Sequence, residues 1–533
     1  MKVLHIVSGS LSGGAARGAM WLHKALKKLN IDSAILTNSI NNLNDSSVIE
    51  ITDELNNRNR LEKQVLYEYP NKLNFIFSTG FFGFDFKKLQ IFKDADIIHL
   101  HWINDNFIDI SHLKDIKKPI IWTFRDMWPM TGGCHYSFDC KKYKKCGCQK
   151  CPQLNSSKKK DLSYWIFEYK KYNIPNHIQI VGISNWITKQ AKKSILFKEF
   201  PIKTIFNNID TGLFKVYNKS KQKKFFNLPQ NKIILLFGAN NIQDPYKGFE
   251  KLQEVIKLLP KENYFLSIFG NADEDSIKQL GIEYKLFGKI NDDKKLNKIY
   301  SSADIFLALS TYEAFGKTLV ESMSSGTPVV CFDSTGPKDI IEHKIDGYKA
   351  RPFDCMDFLK GIQWLQTHYK LTRDNAIKHS RKKFDNTVIA KQYIRLYTSL
   401  LDHFNISNCK SDKKSQSINL KTNYIKDALL KNNKQIFENN IRLFYNQLND
   451  LSNMNYKYVI YGNGTIGKTI QALIPDKIVG YVDIADKNNH PKNLKNMEYD
   501  KILISVLGRE EEIIKYLIDD LGIEKNKIIT LEL

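Results

Sequence analysis

The chain of 533 residues is long enough for about three domains with full cores, and its 42% hydrophobic and 26% charged residues mark a globular protein rather than a disordered or fibrous one. No apolar run reaches the ~18 residues that span a bilayer, and Met1-Lys-Val-Leu-His-Ile-Val-Ser-Gly turns glycine-rich before any small-residue cleavage pattern, so the N-terminus reads as a first strand and the protein as cytoplasmic. The net charge of +23 comes from lysines spread along the chain, which suits peripheral contact with an anionic membrane or a phosphorylated substrate, and no nucleic acid is expected because the charge is not gathered in one domain.

Lys2 to Val7 is predicted as a strand. The loop Ser8-Gly9-Ser10-Leu11-Ser12-Gly13-Gly14-Ala15-Ala16-Arg17 then enters a helix with Ala19, Leu22, Leu26 and Leu29 on one face, and Ala34 to Thr37 is the next strand. In such a βαβ unit Gly13 and Gly14 let backbone amides approach a ligand at the helix start, although many α/β proteins carry a small-residue turn there. Two further buried strands, within Asp96–Trp102 and Pro119–Phe124, leave His101, Arg125 and Asp126 at the C-terminal sheet edge, where open α/β sheets bind ligands. All three are expected to face a cleft. Asp94-Ala-Asp96 has the look of a metal-binding pair, but it precedes a buried strand and reads as a helix end.

Five of eight cysteines fall between Cys134 and Cys151, which in a cytosolic chain points to metal or redox chemistry more than to disulfides. Cys134, Cys140, Cys148 and Cys151 form the preferred zinc set, ending in a C-x2-C knuckle with Cys146 to spare; the alternative is a group of reduced surface thiols. Lys141, Lys142, Lys144, Lys145, Lys150, Lys158, Lys159 and Lys160 surround the knuckle, and a basic rim over a phosphate-bearing substrate is the simpler reading of them. Ser184 is a predicted N-cap. Phe206-Asn207-Asn208-Ile209-Asp210 reads as an interdomain turn whose asparagines adopt the left-handed backbone region. A second α/β unit opens at Lys232 to Phe237, and its loop from Gly238 to Gly248 carries Lys247 within reach of a phosphate. Strands at Phe265–Phe269 and Ile305–Leu309 follow.

The latter strand leads into Glu313-Ala-Phe-Gly316-Lys317-Thr318-Leu-Val-Glu321-Ser-Met-Ser-Ser-Gly326-Thr-Pro328. A helix is predicted from Lys317 until Gly326 ends it, with Val329 to Phe332 as a buried strand beyond. The free amides around Phe315, Gly316, Lys317 and Thr318 can hold an anion, and Glu321, one helical turn deeper, can accept from a diol. An exposed helix that happens to carry two glutamates is the bland reading.

After Asp354 come helices, ending at Thr387 to Leu401. The polar stretch His403 to Asn423 reads as a linker and Ile425 to Leu451 as a helix. The last unit has predicted strands at Lys457–Tyr461, Ile478–Val482, Lys501–Val506 and Lys527–Leu531, with a helix at Glu510–Leu521. Its loop Gly462-Asn-Gly464-Thr-Ile-Gly467-Lys468-Thr469 fits both G-x-G-x-x-G and G-x-x-x-x-G-K-T. Only about 70 residues remain, too few for a phosphate-loop NTPase, and Asp483 stands near the ~20-residue offset of a ribose-binding acid. Gly462, Gly464, Gly467 and Asp483 are therefore nucleotide-binding candidates of a small Rossmann-like module; the alternative is a module that has lost its ligand and serves self-association.

Taken together, Gly13-Gly14-Ala15-Ala16-Arg17, His99-Leu-His101-Trp102, Asp126-Met-Trp-Pro129, Thr131-Gly-Gly-Cys-His-Tyr136, Cys148-Gln-Lys-Cys-Pro-Gln-Leu154, Ser184-Asn-Trp186, Lys247-Gly248 and Glu313 to Pro328 give residues 1 to about 402 a specific resemblance. They resemble the GT-B glycosyltransferases of family four, in the surface-polysaccharide branch with a cysteine-rich insertion. The pair Glu313 and Glu321 corresponds to that family's E-x7-E element. The resemblance implies two Rossmann-like domains facing a cleft, a nucleotide-sugar donor held mainly by the second, a lipid-linked or polysaccharide acceptor held mainly by the first, and retention of anomeric configuration with no cofactor required. Glu313 is then expected at the donor sugar, Glu321 at the ribose, and Lys247 with the turn amides at the departing diphosphate. Two departures stand out. Arg125 replaces the histidine that often follows the Thr-Phe turn, with His101 or His135 as candidates to compensate, and the arginine that often precedes the Lys-Gly pair is absent. The implied domains are 1–206 with an insertion at about 126–154, 207–402 with a return helix, a linker at 403–424, and 425–533 as a helix plus the small module. A nucleotide-sugar epimerase and a catalytically silent scaffold are the rival readings.

Overall fold

The computed structural model describes residues 1–407, 447 and 450–531, apart from 10, 12, 40–44, 53–54 and 507–509. The chain divides into two units, Met1–Asn423 and Tyr424–Leu533. The first contains two parallel sheets, each built by strand-helix alternation from near-continuous apolar runs, as a sheet covered on both faces demands.

The first sheet has strands β1 (Lys2–Ile6), β2 (Asp32–Thr37), β3 (Val48–Glu50), β4 (Ile97–Leu100), β5 (Ile120–Phe124), β6 (Ile178–Gly182) and β7 (Ile202–Thr204) in the order β3-β2-β1-β4-β5-β6-β7. The reversal between β1 and β4 is a topological switch point, the place where open α/β sheets leave a crevice. The second sheet has β8 (Ile233–Asn241), β9 (Tyr264–Asn271), β10 (Tyr284–Leu286), β11 (Ile305–Ala308), β12 (Val329–Phe332) and β13 (Gly347–Ala350) in the order β10-β9-β8-β11-β12-β13, with its switch point between β8 and β11. The expected pair of Rossmann-like sheets is present.

The helix Asn386–Ser407 returns to the first sheet. Ile389, Tyr393, Leu396 and Tyr397 pack there with Leu22 and Leu26 of the Gly14–Lys28 helix and with Ile97 and Ile121. It runs past the predicted end at Leu401, so the first residues of the expected linker are helical: the apolar face that ends with Leu400 and Leu401 still has a sheet-side surface to cover. The rest of that linker, and nearly all of the helix expected at 425–451, lie outside the described residues.

The Asn207–Asn208 turn differs from expectation, since neither residue has positive φ. Asparagine serves there through its side chain instead. Asn207 Oδ1 accepts from Arg125 Nη1 (2.6 Å) and from the Asn208 amide, while Asn208 Nδ2 donates to Asn386 Oδ1 at 2.9 Å, tying the crossover to the return helix.

The second unit is a four-stranded parallel sheet of β14 (Tyr458–Tyr461), β15 (Ile478–Val482), β16 (Lys501–Ile504) and β17 (Ile528–Thr530) in the order β15-β14-β16-β17. Ile460, Ile470 and Leu503 form the core on one face, and Val459, Ile504 and Leu517 on the other. The helix predicted at Glu510–Leu521 is α-helical over Glu510–Lys515 and widens into a π turn over Tyr516–Asp520.

Candidate functional site

Beyond β11 the chain turns at Gly316 (φ 106°) and enters the helix Lys317–Ser324, whose inward face buries Leu319, Val320 and Met323; Gly326 (φ 83°) ends it. A side chain is strained at both glycines, which fixes where the helix begins and stops. Lys247 closes the short turn Pro245–Lys247, and Gly248 (φ 82°) lies so close to this segment that an added Cβ would sit 2.0 Å from the Leu309 carbonyl. That contact brings Lys247 Nζ to 2.8 Å from Glu313 Oε2, with both side chains about one-fifth exposed. Burial alone lowers the ammonium's pKa, but Glu313 outweighs it and holds Lys247 above its ordinary value. Thus the lysine without its expected arginine is paired with the loop glutamate instead.

Glu321 is fully buried and already bonded. One carboxylate oxygen accepts from Arg17 of the Gly14–Lys28 helix, the other from Tyr300 OH at 2.9 Å. Arg17 also donates to Asp293 at 2.6 Å and lies over the Trp21 ring. Lys317 Nζ reaches across in parallel to the Gly14 carbonyl at 2.7 Å, and Ser184 Oγ to that of Ala314, also at 2.7 Å. The two sheets of this unit are thereby clasped, with the glutamate expected to meet a diol held by an arginine. Sequence reasoning missed Arg17, Asp293 and Tyr300 as site residues, although Arg17 ends the quoted glycine motif.

Opposite stand Arg125, Asp126 and His135. The Arg125 guanidinium is buried with no carboxylate partner among the described residues; it donates to Asn207 Oδ1 and, at 3.0 Å, to His101 Nδ1, while its Nε has no partner among them. Burial pulls its pKa down to about 10. Because a guanidinium only donates, His101 carries its proton on Nε2 and donates to His5 Nδ1 at 2.9 Å. His99 bonds Tyr397 OH (2.7 Å) and Thr123 Oγ1 (2.8 Å). Parallel register explains the cluster: His5 faces His99 across β1 and β4, and His101 follows on the same face. Burial first, then the neighbouring histidines and Arg125, hold all three well below the ordinary histidine range. His101 therefore lies beneath Arg125, 2% exposed, rather than facing the cleft as expected. Asp126 Oδ2 accepts from Trp102 Nε1 (2.8 Å) and His135 Nδ1 (2.6 Å), its Oδ1 accepts from the Trp128 amide (2.8 Å), and His135 Nε2 lies 2.9 Å from Ser78 Oγ.

Between these walls is a cavity of about 340 Å³, lined among others by Gly14, Arg125, His135, Glu313, Phe315 and Lys317. Gly316 also lines it; Gly13 caps the first helix, and Lys247, Thr318 and Glu321 are not among the lining residues. The structure thus brings the glycine loop, the Arg125–His135 wall and the Glu313 loop to one chamber.

The second unit carries its own glycine loop. Gly462 has φ 104°, a Cβ on Gly467 would stand 2.2 Å from the Gly462 carbonyl, and Gly464 caps the helix Thr465–Leu473. Asp483 closes this loop, with Oδ2 accepting from the Asn463 amide (3.0 Å) and Oδ1 from that of Ala485 (2.9 Å). Each oxygen thus has one backbone donor and keeps further acceptor capacity. Of the cysteines, Cys134, Cys148 and Cys151 are buried, Cys140 is half-buried and Cys146 exposed.

Residues 218–383 match the family model of glycosyl transferases group 1. An uncharacterized glycosyltransferase of Methanocaldococcus jannaschii is 29% identical over 235 residues, covering 41% of this chain and 59% of its own. The chain spans about half the length of the curated relatives it matches, 59%, 48% and 40% for three of them. Among solved structures, the sucrose-phosphate synthase of Thermosynechococcus elongatus superposes with a TM-score of 0.55 at 16% identity, over 76% of this chain and all of that one. Anabaena HepE, solved in complex with UDP and glucose, gives a TM-score of 0.53 at 15% identity, over 75% of this chain and all of that one. The fold is therefore GT-B, with the small C-terminal sheet added. No helix among the described residues is long and apolar enough to cross a membrane.

Proposed function

We propose that this protein is a retaining glycosyltransferase that moves a sugar from a nucleoside-diphosphate donor to a lipid-linked or polysaccharide acceptor of a surface glycan. The observation that carries the reading is the Lys247–Glu313 pair at 2.8 Å within the matched segment, whose Glu313 lines one chamber with Gly316, Arg125 and His135. HepE's complex with UDP and glucose supports a donor of that class, and the cysteine-rich insertion supports the acceptor class by resemblance.

In this reading the donor's diphosphate lies at the N-terminus of the Lys317–Ser324 helix. Lys247 and the amides after Gly316 neutralise the charge that develops as the sugar departs, by fixed donors aimed at the leaving oxygens. Glu313, released from Lys247 by the phosphate, takes the sugar hydroxyls. Glu321 exchanges Arg17 for the ribose diol. Arg125, a cation without a carboxylate among the described residues, binds an anionic group of donor or acceptor, while Asp126 and Ser78 hold the His135 ring in the chamber wall. Turnover with a panel of UDP-, GDP- and ADP-sugars, with and without a polyprenyl-linked acceptor, tests the proposal. Acceptor-dependent release of one nucleoside diphosphate is expected; conversion of donor without acceptor points to epimerisation, and inertness toward the whole panel counts against catalysis.

A further inference from the structure

The cysteines of the insertion take no part in the glycosyl-transfer reading, and their setting asks for another explanation. Between Thr131 and Asp161 the chain has only the one-turn helices Lys142–Lys145 and Pro152–Leu154, yet Cys134, Cys148 and Cys151 are buried. A segment with so little backbone pairing and so small a core needs a staple. Cys134, Cys140, Cys148 and Cys151 all line one void of about 20 Å³, the room of a single small occupant. Gly147 (φ 79°) and Lys150 (φ 43°) adopt left-handed backbone on either side of Cys148, which folds the Cys148–Cys151 stretch into a tight turn. Backbone amides point at the sulfurs: Gly132 N donates to Cys148 Sγ at 3.1 Å, and the amides of Gln153 and Leu154 donate to Cys151. A neutral thiol is a poor acceptor, whereas a metal-bound thiolate benefits from such donors. Beneath the void lies the fully buried Lys170, whose ammonium donates to the Trp128 and Thr131 carbonyls, with no carboxylate of the described residues in ion-pair range. It offers a countercharge to a cluster of thiolates.

We propose that Cys134, Cys140, Cys148 and Cys151 bind one zinc ion, which ties together the two ends of the insertion and so positions the cleft wall formed by His135, Tyr136 and Gln153. The wall depends on that tie because Cys134 precedes His135 and Tyr136 directly, and Gln153, two residues beyond Cys151, donates to the Tyr136 carbonyl at 2.6 Å. Among the described residues only His5, His99 and His101 bring three ligand atoms within 4.8 Å of one another. That trio is the poorer metal site: all its nitrogens but His5 Nε2 already bond each other, Thr123, Tyr397 or Arg125, whose guanidinium abuts it. The four sulfurs are set wider than that around their void, and binding would draw them together onto one ion.

The proposal is independent of glycosyl transfer and is tested without it. Elemental analysis of the purified full chain is expected to give about one equivalent of zinc. A mercurial thiol reagent should release that zinc from the wild-type protein in step with the modification of about four thiols, a measurement that does not depend on variants folding. Cys146→Ser should retain the metal, and the Cys148→Ser/Cys151→Ser double variant should lose at least nine-tenths of it. Less than half an equivalent, iron in place of zinc, disulfides in the unreduced mass spectrum, or full zinc retention by the double variant would each overturn the assignment.

Discussion

Replacing Glu313 by glutamine separates the two roles assigned to the Lys247–Glu313 pair. At 2.8 Å two unit charges attract by about 6 kcal/mol at an effective dielectric of about 20. Both groups are about one-fifth exposed, so hydration and side-chain ordering offset most of that figure, leaving about 1–2 kcal/mol. On the proposed reading Glu313 competes with phosphate for Lys247, and Glu313→Gln removes the competitor while keeping the shape. Binding of the nucleoside diphosphate selected by the donor panel, measured by calorimetry at low salt, is expected to tighten about 5- to 30-fold. Turnover should fall about 10²- to 10³-fold, the usual loss when one preorganised group at a reacting centre is removed. Weaker nucleotide binding together with turnover within threefold of wild type would refute the reasoning, because the pair would then be a surface ion pair with no part in the site.

Arg17→Met removes the guanidinium that lies over Trp21 and leaves the fully buried Glu321 with Tyr300 alone; a loss of about 3 kcal/mol in denaturant unfolding is expected. Nucleoside diphosphate should raise the variant's midpoint more than the wild type's, since the ribose diol supplies the missing donors, and equal shifts would sink the exchange of Arg17 for ribose. Four histidines are buried and held in the neutral form: burial lowers His23 to about 4, and His5, His99 and His101 are held well below the ordinary value. Below pH 6.5 the unfolded chain binds protons that the folded chain refuses, so stability falls with pH, by about 1.4 kcal/mol per pH unit for each histidine once the unfolded form is protonated. Denaturant midpoints measured from pH 7 to pH 5 should drop steeply, and His23→Asn should flatten the slope by close to one proton; an unchanged slope contradicts the assignment.

Local chemistry made much of the molecule legible in advance. Apolar runs bounded by glycine, proline and polar residues marked the strands of the sheets, and Gly316, Gly326 and Gly248 stand where only a residue free of Cβ avoids strain or overlap. Left-handed backbone was the wrong reason for Asn207 and Asn208, because an asparagine's side-chain bonds carry no periodic signal in the chain. The free carboxylate expected of Glu321 is likewise held by Arg17, 304 residues away in sequence. His101 was read at a sheet edge and lies under Arg125, since strand pattern gives the face of a side chain but not what is stacked above it.

What the sequence by itself determined is therefore the sheet order's raw material and the anion-binding loops, which follow from backbone sterics and burial within a few residues of chain. What the tertiary structure alone decided is which distant charges meet: Lys247 with Glu313, and Arg17 with Glu321 and Asp293. Pairing over such distances depends on how two sheets and a returning helix are placed against one another, and no local pattern of residue types encodes that geometry.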